Sequence, residues 1–396
     1  MKKLMFAILA LIFLGTASSA SALEPIEELG KAIFFDQKLS VRNNQSCASC
    51  HAPSVGWTGP IPGFNKAGSV YFGSVRTRFG NRKPPTVAYG GDSPVLYYDG
   101  EAWIGGMFWD GRATGSDLGD PLAEQALGPF LNPLEQALPN ASYVVDRVCS
   151  SKYSDLFKNV WGSEACTNVA DAYDNIGRSI AAYERSSEVS QFSSKYDAYL
   201  NGKASLTAQE LRGLELFNDN EKGKCSACHI SEGLKPLFTD FTYDNLGVPR
   251  NPQNPFYFEP EWNPDGLNWV DNGLGGFLES IGEPDYALEM GKQKVPSLRN
   301  VDKRPGPGFV KAYGHNGYFK SLESIVNFYN TRDVKLECPD PFTTEADALS
   351  QGCWPAPEVA DNVNTEELGD LGLSADEEAA IVAFLKTLSD GYTPKK

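Results

Sequence analysis

Two copies of one five-residue motif constrain this chain more than any other feature of its sequence. They are Cys47-Ala48-Ser49-Cys50-His51 and Cys225-Ser226-Ala227-Cys228-His229. In the pattern Cys-x-x-Cys-His, both thiols bond covalently to a porphyrin and the imidazole ligates its iron. A zinc site would need further Cys or His ligands at short spacing, but the chain has only three histidines. The sequence therefore predicts two covalently bound c-type haems, with His51 and His229 as iron ligands.

The first residues predict export. Lys2-Lys3, an apolar run from Leu4 to Leu14 and small residues ending at Ala22 form the three parts of a secretory signal peptide, residues 1–22. No later apolar run is long enough to span a bilayer, so we expect an exported, periplasmic protein without a membrane span. The formal net charge of -16 argues against nucleic acid as a partner. It would steer a basic electron carrier to the surface, although acidity is also a common route to solubility.

Four cysteines lie outside the two motifs, namely Cys149, Cys166, Cys338 and Cys353. Disulfides persist in an oxidising compartment, and four cysteines allow three connectivities. The short spacings favour the pairs Cys149–Cys166 and Cys338–Cys353, without excluding the other two arrangements.

The segments that lead into the two motifs repeat each other. Residues 28–36 and 210–219 share Gly, Phe and Asp at matching offsets, and both have the pattern of amphipathic helices. The second begins with a capping box formed by Thr207 and Glu210. We predict a mainly α fold of two cytochrome c-like haem domains, residues 23–195 and 196–396, with long ordered loops and little sheet.

Other segments complete this expected layout. A helix from about Val169 to Ser187 closes the first domain, and residues 188–203 form a link. Residues 236–307 are rich in Pro, Gly and Asn, which predicts long loops. The last helix begins at Ser374, boxed by Glu377, and is expected to end at a Gly391 C-cap.

Four further blocks follow in order along the chain: Phe108–Arg112, Glu124–Glu135, Val295–Asn300 and Ala312–Gly317. Together with the haem motifs, they resemble the bacterial dihaem cytochrome c peroxidase and MauG superfamily over nearly the whole mature chain. The resemblance implies an oxidoreductase that uses hydrogen peroxide at the first haem. It implies as partner either a small electron-donor cytochrome or cupredoxin, or a protein substrate, and it leaves the oligomeric state open.

The resemblance also assigns residues around the first haem. It gives Glu135 the role of moving a proton between the peroxide oxygens, with Gln125 as its hydrogen-bonding partner and Pro129 shaping the pocket. Many dihaem peroxidases have a removable distal histidine at the position of Ala67. Because Ala67 cannot ligate iron, we expect a five-coordinate first haem at rest. About six extra residues between Ala113 and Leu122 are expected to form a surface loop.

The second haem separates the possible functions. Trp109 resembles the tryptophan that relays electrons between the haems. Tyr329 lies fourteen residues after His315, where dihaem peroxidases have Met and MauG has Tyr, and it shares a helical stripe with Leu322, Ile325 and Val326. Ligation by Tyr329 favours a MauG-like enzyme that oxidises Trp or Tyr of a partner protein through a bis-ferryl state. The alternatives are His315 as the ligand, or a non-enzymatic electron carrier with two six-coordinate irons.

Family members also hold a calcium ion between the domains. The resemblance places the carbonyls of Val310 and Ala312 at this ion and suggests Asn81 as the side-chain ligand. At the position where the family has its ligating Asn, this chain has Lys83, which cannot ligate calcium. One calcium ion is therefore expected, with an uncertain side-chain ligand.

Overall fold

The computed structural model describes residues 22–394. Residues 1–21 of the predicted signal peptide lie outside this range. Among residues 22–394, no helix has both the length and the apolar character that a bilayer crossing requires. The described chain is mainly helical, with three small two-stranded sheets.

The first half contains seven of the described helices, and two of them pack closely at a glycine. These helices are α1 Pro25–Phe34, α2 Pro62–Lys66, α3 Pro121–Leu131, α4 Ala141–Cys149, α5 Ser154–Trp161, α6 Val169–Arg185 and α7 Lys195–Leu200. A Cβ added at Gly30 of α1 would lie 1.9 Å from the carbonyl oxygen of Ser179 on α6. Only glycine permits this approach, which brings Phe34 edge-on to Tyr183.

The second half repeats this arrangement. Its helices are α8 Ala208–Asn218, α9 Gly273–Ile281, α10 Leu322–Thr331, α11 Glu345–Gln351 and α12 Ala375–Lys386. A Cβ added at Gly213 of α8 would lie 1.9 Å from the carbonyl oxygen of Ala380 on α12. Phe217 then packs edge-on against Phe384. The Gly and Phe of the sequence repeat therefore form equivalent helix crossings in the two halves.

The sheets are short and lie in the connections. Strands β1 Tyr97–Tyr98 and β2 Trp103–Ile104 pair antiparallel, with Tyr97 opposite Ile104. Strands β3 Tyr243–Asp244 and β4 Gln293–Lys294 pair antiparallel, and β5 Leu336–Glu337 pairs parallel with β6 Cys353–Trp354. The prediction of little sheet is confirmed.

Each half has its own large hydrophobic cluster. One includes buried residues from Leu29 to Val189, and the other includes buried residues from Tyr196 to Leu388. The predicted domain boundary between residues 195 and 196 falls at this division in the sequence and stays a prediction. The disulfides are Cys149–Cys166 and Cys338–Cys353, so the favoured pairing is confirmed.

Three local predictions need correction. The link 188–203 contains α7, which starts at a capping box formed by Ser194 and Asp197. The loop region 236–307 contains α9, whose Leu274 and Leu278 pack into a cluster with Tyr243 in spite of four glycines nearby.

The last helix ends earlier than predicted. It stops at Lys386 and Gly391 is not its C-cap. The carbonyl of Thr387 accepts a hydrogen bond from Tyr196 N, and that of Leu388 accepts one from Asn300 N. These tertiary partners draw the chain out of the helix before Gly391.

Candidate haem sites and active site

The first Cys-x-x-Cys-His motif positions its histidine for a metal. Residues 47–49 form one 3₁₀ turn, and His51 N donates to the carbonyl of Cys47 at 2.9 Å. The Nδ1 atom of His51 lies 3.0 Å from Pro85 O and 3.3 Å from Trp57 O. Burial lowers the pKa of His51 to about 4, so the ring is neutral. With Nδ1 donating to carbonyls, Nε2 is left with a lone pair for an iron.

The second motif repeats this geometry. Residues 225–227 form a 3₁₀ turn, and His229 N donates to Cys225 O at 2.9 Å. His229 Nδ1 lies 2.8 Å from Phe238 O, and burial lowers its pKa. The motif faces a cavity with a largely aliphatic lining that suits a porphyrin, which includes Leu246, Val295, Leu298, Leu322, Ile325 and Leu385. Both motifs therefore fit covalent haem, and a neutral imidazole is aimed for each iron.

A carboxyl group lies beside the first motif. The charge of Glu135 acts on the thiols of Cys47 and Cys50 and helps to raise the pKa of both. Burial raises the pKa of Glu135 itself, against the opposing effects of Arg112 and of a hydrogen bond from Asn132. Asn132 Nδ2 donates to Glu135 Oε2 at 2.9 Å. A half-buried carboxyl with a raised pKa is able to take up and release a proton in this pocket.

The backbone around Glu135 is held from both sides. Asn132 Oδ1 accepts from Leu134 N at 2.9 Å, and the carbonyl of Glu135 accepts from Ser74 N at 2.7 Å. A Cβ added at Gly73 would lie 2.5 Å from the Glu135 carbonyl oxygen, so the two segments are in close contact. The carboxyl group therefore extends from a fixed turn.

Gln125 and Pro129 lie one turn apart on α3, which leads into this turn. Pro129 has no N–H and cannot donate to the Gln125 carbonyl, which interrupts the helix ladder at that point. The Pro129 carbonyl accepts from Gln136 N at 3.1 Å and ties the turn with Glu135 to α3. Gln125 is half-buried, and among the described residues no hydrogen bond joins its side chain to Glu135.

Ala67 lies at the C-terminal end of α2. It is exposed, and its carbonyl accepts from Lys320 Nζ at 2.7 Å. The sequence has only three histidines. The one outside the motifs, His315, lines the cavity at the second motif, the second cavity. No imidazole is thus left for the far side of the first haem.

Trp109 lines the second cavity. Its indole Nε1 donates to the carbonyl of Lys83 at 2.8 Å, and its ring centroid is 6.5 Å from that of His315. Two residues after Lys83, the Pro85 carbonyl accepts from His51. A path of two hydrogen bonds and a three-residue segment therefore joins the proximal histidine of the first haem to an indole beside the second.

Tyr329 and His315 both line the second cavity. Tyr329 shares this lining with the attachment cysteines Cys225 and Cys228, and burial, followed by the charges of Cys228 and Asp244, raises the pKa of its phenol. No hydrogen bond among the described residues uses this hydroxyl. His315 Nε2 is instead 3.5 Å from Glu358 Oε2 and 3.9 Å from Asp271 Oδ2.

Comparison with known proteins identifies the family. A family model described as dihaem cytochrome c peroxidase, CCP_MauG, matches residues 24–205. The methylamine utilization protein MauG of Paracoccus denitrificans (strain Pd 1222) is 36% identical over 386 residues, which cover 95% of this chain and 92% of that protein. The chain belongs to the dihaem cytochrome c peroxidase and MauG family.

Two other relatives agree with this assignment. Cytochrome c551 peroxidase of Nitrosomonas europaea is 30% identical over 302 residues, covering 76% of this chain and 71% of that protein. The crystal structure of the diheme peroxidase BthA from Burkholderia thailandensis E264 has 29% identity and a TM-score of 0.73, and covers 94% of this chain and 90% of that one. The predicted family and fold class are confirmed, and this dihaem peroxidase family member is an oxidoreductase with two haems.

One carbonyl expected at a calcium ion already has a hydrogen-bond donor in this dihaem peroxidase. The carbonyl of Val310 accepts from Asn65 Nδ2 at 3.0 Å. Ala312 lines the haem cavity together with Lys83 and Lys311. Burial lowers the pKa of both lysines, and the charge of Lys83 lowers that of Lys311 further. The three carbonyl oxygens around Lys311 Nζ nevertheless require three N–H donors, which only the protonated amino group has. Two lysine side chains therefore occupy the region where a divalent cation was expected.

Sequence reasoning missed several residues around the active site. Asn132 and Arg112 both lower the pKa of Glu135. Both residues belong to blocks that carried the family resemblance, so the sequence could have indicated their role. Glu184 on α6 is buried beside Cys47, and burial raises its pKa to about 8. The predicted surface loop is closed by Glu124, whose carboxylate accepts from the backbone N–H groups of residues 115, 117 and 118.

The Arg82 cluster was missed as well. Arg82 donates to both carboxylate oxygens of Asp271 at 2.6 Å and to Asp110 at 2.5 Å. Burial raises the pKa of Asp271, but the Arg82 guanidinium outweighs it and holds that pKa below its usual range. This buried cluster ties the residue after Trp109 to the second half of the chain. Nothing in the local sequence around residue 82 indicates a partner at residue 271.

Proposed function

We propose that this protein is a periplasmic dihaem peroxidase in which hydrogen peroxide reacts at the haem of His51. In this proposal, the oxidising equivalents are shared with the haem of His229 through Trp109. The observation that carries the proposal is the asymmetry between the two motifs. A carboxyl group with a raised pKa lies beside the first motif, and the only other imidazole lies at the second.

Glu135 performs the proton transfer in this proposal. A haem held by Cys47, Cys50 and His51 would supply the two electrons that reduce peroxide. Asn132 donates to Oε2 of Glu135, and no hydrogen bond among the described residues uses Oε1, which we assign as the proton acceptor. Oε1 accepts the proton of the inner peroxide oxygen and returns it to the outer oxygen, which leaves as water. Positioned acid–base groups of this kind contribute about 10²–10⁴-fold to rate.

Trp109 serves as the relay. Its indole is buried at 8% exposure, its N–H is fixed on Lys83 O, and it lines the second cavity. A fixed, buried ring in this place exchanges electrons with both sites without rearrangement. We assign Tyr329 as the second iron ligand of the haem of His229, because its free hydroxyl lies near the attachment cysteines. In this assignment His315 packs on Trp109 and faces Asp271 and Glu358.

A second candidate function is the oxidation of Trp or Tyr side chains in a partner protein. Two observations favour it, namely Tyr329 in the second cavity and the 36% identity to a MauG protein. The first function needs a small cytochrome or cupredoxin as electron donor, whereas the second needs a specific protein substrate. A calcium ion is not needed in either proposal.

Electron paramagnetic resonance of the ferric protein and stopped-flow reaction with peroxide test the proposal. We expect one high-spin and one low-spin signal in the resting protein. Glu135→Gln is expected to slow the reaction with peroxide by about 10²–10⁴-fold with unchanged resting spectra. Glu164→Gln, at an exposed carboxyl of the same half, is the matched control. Two low-spin signals, or equal rates for both variants, would contradict the proposal.

The two candidate functions are separated by what happens after peroxide is reduced. Rapid steady-state turnover with reduced cytochrome c supports the peroxidase. Slow turnover together with a long-lived near-infrared absorption band supports oxidation of a protein substrate.

A further inference from the structure

Lysine ammonium groups bind backbone carbonyls where the two halves of the chain meet. Lys311 is 5% exposed, and its Nζ donates to Asn300 O at 2.6 Å, to Val55 O at 2.9 Å and to Lys303 O at 3.1 Å. Val55 belongs to the segment after the first haem motif, whereas Asn300 and Lys303 belong to the second half. One ammonium group therefore holds both halves.

Two other lysines make the same kind of bridge. Lys294 Nζ donates to Gly105 O at 2.7 Å in the first half and to Phe241 O at 3.1 Å in the second. Lys320 Nζ donates to Ala67 O at 2.7 Å and to Gly317 O at 2.5 Å. Hydrogen bonds from a lysine Nζ to carbonyls of both halves thus recur at this interface. Lys311 is the most buried of these three lysines.

The Nζ atom of Lys311 occupies the place that a metal ion has in a cation site. An ammonium group has three donors and no acceptor, and the three carbonyl oxygens use all three donors. Converging carbonyl oxygens are also the groups that bind hard cations such as calcium. If the ammonium were removed, the carbonyls of Val55 and Lys303 would lose their donor, whereas Asn300 O would keep the hydrogen bond from Lys303 N at 2.9 Å.

Lys83 adds a second positive charge to the same region. Its Nζ lies 3.2 Å from Pro84 O and 3.3 Å from Thr58 Oγ1, and its backbone N donates to His315 O at 2.8 Å. Lys83 and Lys311 line the same cavity as Ala312. A calcium ion placed there would be repelled by two ammonium groups.

We propose that the ammonium group of Lys311, together with that of Lys83, is the resident cation of this interface and replaces a bound calcium ion. Lys311 holds the segment after the first haem motif against the segment around residue 300, so the two haem sites keep their relative position without a metal. The proposal does not depend on peroxide chemistry, and it is tested by metal content and thermal stability.

The first test uses the haem-loaded protein purified without chelator. We expect less than about 0.1 calcium per protein by elemental analysis, because the carbonyl cage is already filled. Treatment with EGTA, or addition of 1 mM calcium chloride as probe, is expected to leave Tm and the resonance spectrum unchanged. About one calcium per protein, or a fall in Tm on EGTA treatment that calcium reverses, would overturn the proposal.

The second test removes the cation from the chain. Lys311→Met keeps the approximate length of the side chain but leaves the carbonyls of Val55 and Lys303 without a donor, and we expect Tm to fall by roughly 4–8 °C. Lys66→Met, at an exposed lysine of α2, is the matched control and is expected to change Tm by less than about 1 °C. Equal Tm values for the two variants would refute the role of Lys311. If Lys311→Met does not fold, the measurements on the wild-type protein still decide.

Discussion

Asn132 provides a sharp test of how Glu135 works, because its side chain makes two separable contacts. Its Nδ2 donates to Glu135 Oε2 at 2.9 Å, while its Oδ1 accepts from Leu134 N at 2.9 Å. A hydrogen bond to a charged carboxylate contributes about 1.5–3 kcal/mol. At about 1.4 kcal/mol for each factor of ten, Asn132→Ala should reduce the deprotonated fraction of Glu135, and with it the rate of the reaction with peroxide, by roughly 10- to 150-fold at a pH below the pKa of Glu135. The decrease in rate caused by Asn132→Ala must not exceed the decrease caused by Glu135→Gln, because Glu135→Gln removes the proton acceptor itself.

The same substitution should move the pH dependence of the reaction. Burial raises the pKa of Glu135 and the bond from Asn132 lowers it, so loss of that bond raises the pKa further. The reaction needs the deprotonated carboxylate, and its rate should therefore rise at higher pH in Asn132→Ala than in the wild-type protein. The assay is the second-order rate constant for peroxide, measured by stopped flow across pH.

A matched control separates this effect from a loss of stability. Asn140 caps α4 through a hydrogen bond from Tyr143 N at 3.2 Å and does not contact Glu135. Asn140→Ala should cost about 1 kcal/mol of stability and leave the peroxide rate unchanged. The reasoning is refuted if Asn132→Ala reacts within twofold of wild type at every pH, or if both variants lose the same fraction of rate.

Three further predictions concern Trp109, Glu184 and Gly213. Trp109→Phe should leave the first reaction with peroxide intact but slow the spectral change of the second haem, at a stability cost of about 1–3 kcal/mol for the carbonyl left without its indole donor; stopped-flow spectra and thermal melts test both effects. Glu184 should make stability fall with rising pH: its pKa is about 8 in the folded state against a usual value of 4.5, so the folded state keeps a proton that the unfolded state releases. Stability is then lost across that window at about 1.4 kcal/mol per pH unit, and denaturant melts of Glu184→Gln should lack this slope. Gly213→Ala should destabilise by about 1–3 kcal/mol, since its Cβ would lie 1.9 Å from the Ala380 carbonyl oxygen, whereas Gly63→Ala, with open space around it, should not.

The features that local sequence determines were predictable. The capping boxes of Thr207 with Glu210 and of Ser374 with Glu377 form as expected, because each depends on a spacing of three residues. The repeated Gly and Phe before each motif also have equivalent roles, since the same helix crossing recurs in both halves. Both disulfides join cysteines that are close in sequence.

The features that depend on distant partners were not predictable from one sequence. Arg82 and Asp271 are 189 residues apart, and Lys311 and Val55 are 256 residues apart. No periodicity or motif links such residues, because only the tertiary fold brings them together. Even the end of α12 is set in this way, by tertiary hydrogen bonds to the carbonyls that follow the helix.

One short segment connects most of the proposed mechanism. All three carbonyls of residues 83–85 accept from side chains: Trp109 donates to the first, Thr58 to the second and His51 to the third. Two of these residues are prolines, which have no N–H to satisfy, and the remaining N–H of Lys83 donates to His315 O. Every polar backbone group of the segment is therefore used by a residue of one haem site or of the relay.

A shift of this segment would change the orientation of the proximal histidine and of the indole together. The proline pair limits such a shift, because each ring fixes its own φ angle. In the proposed mechanism, the electronic link between the two sites therefore depends on the backbone of three residues, and a rigid segment suits that role better than a flexible loop.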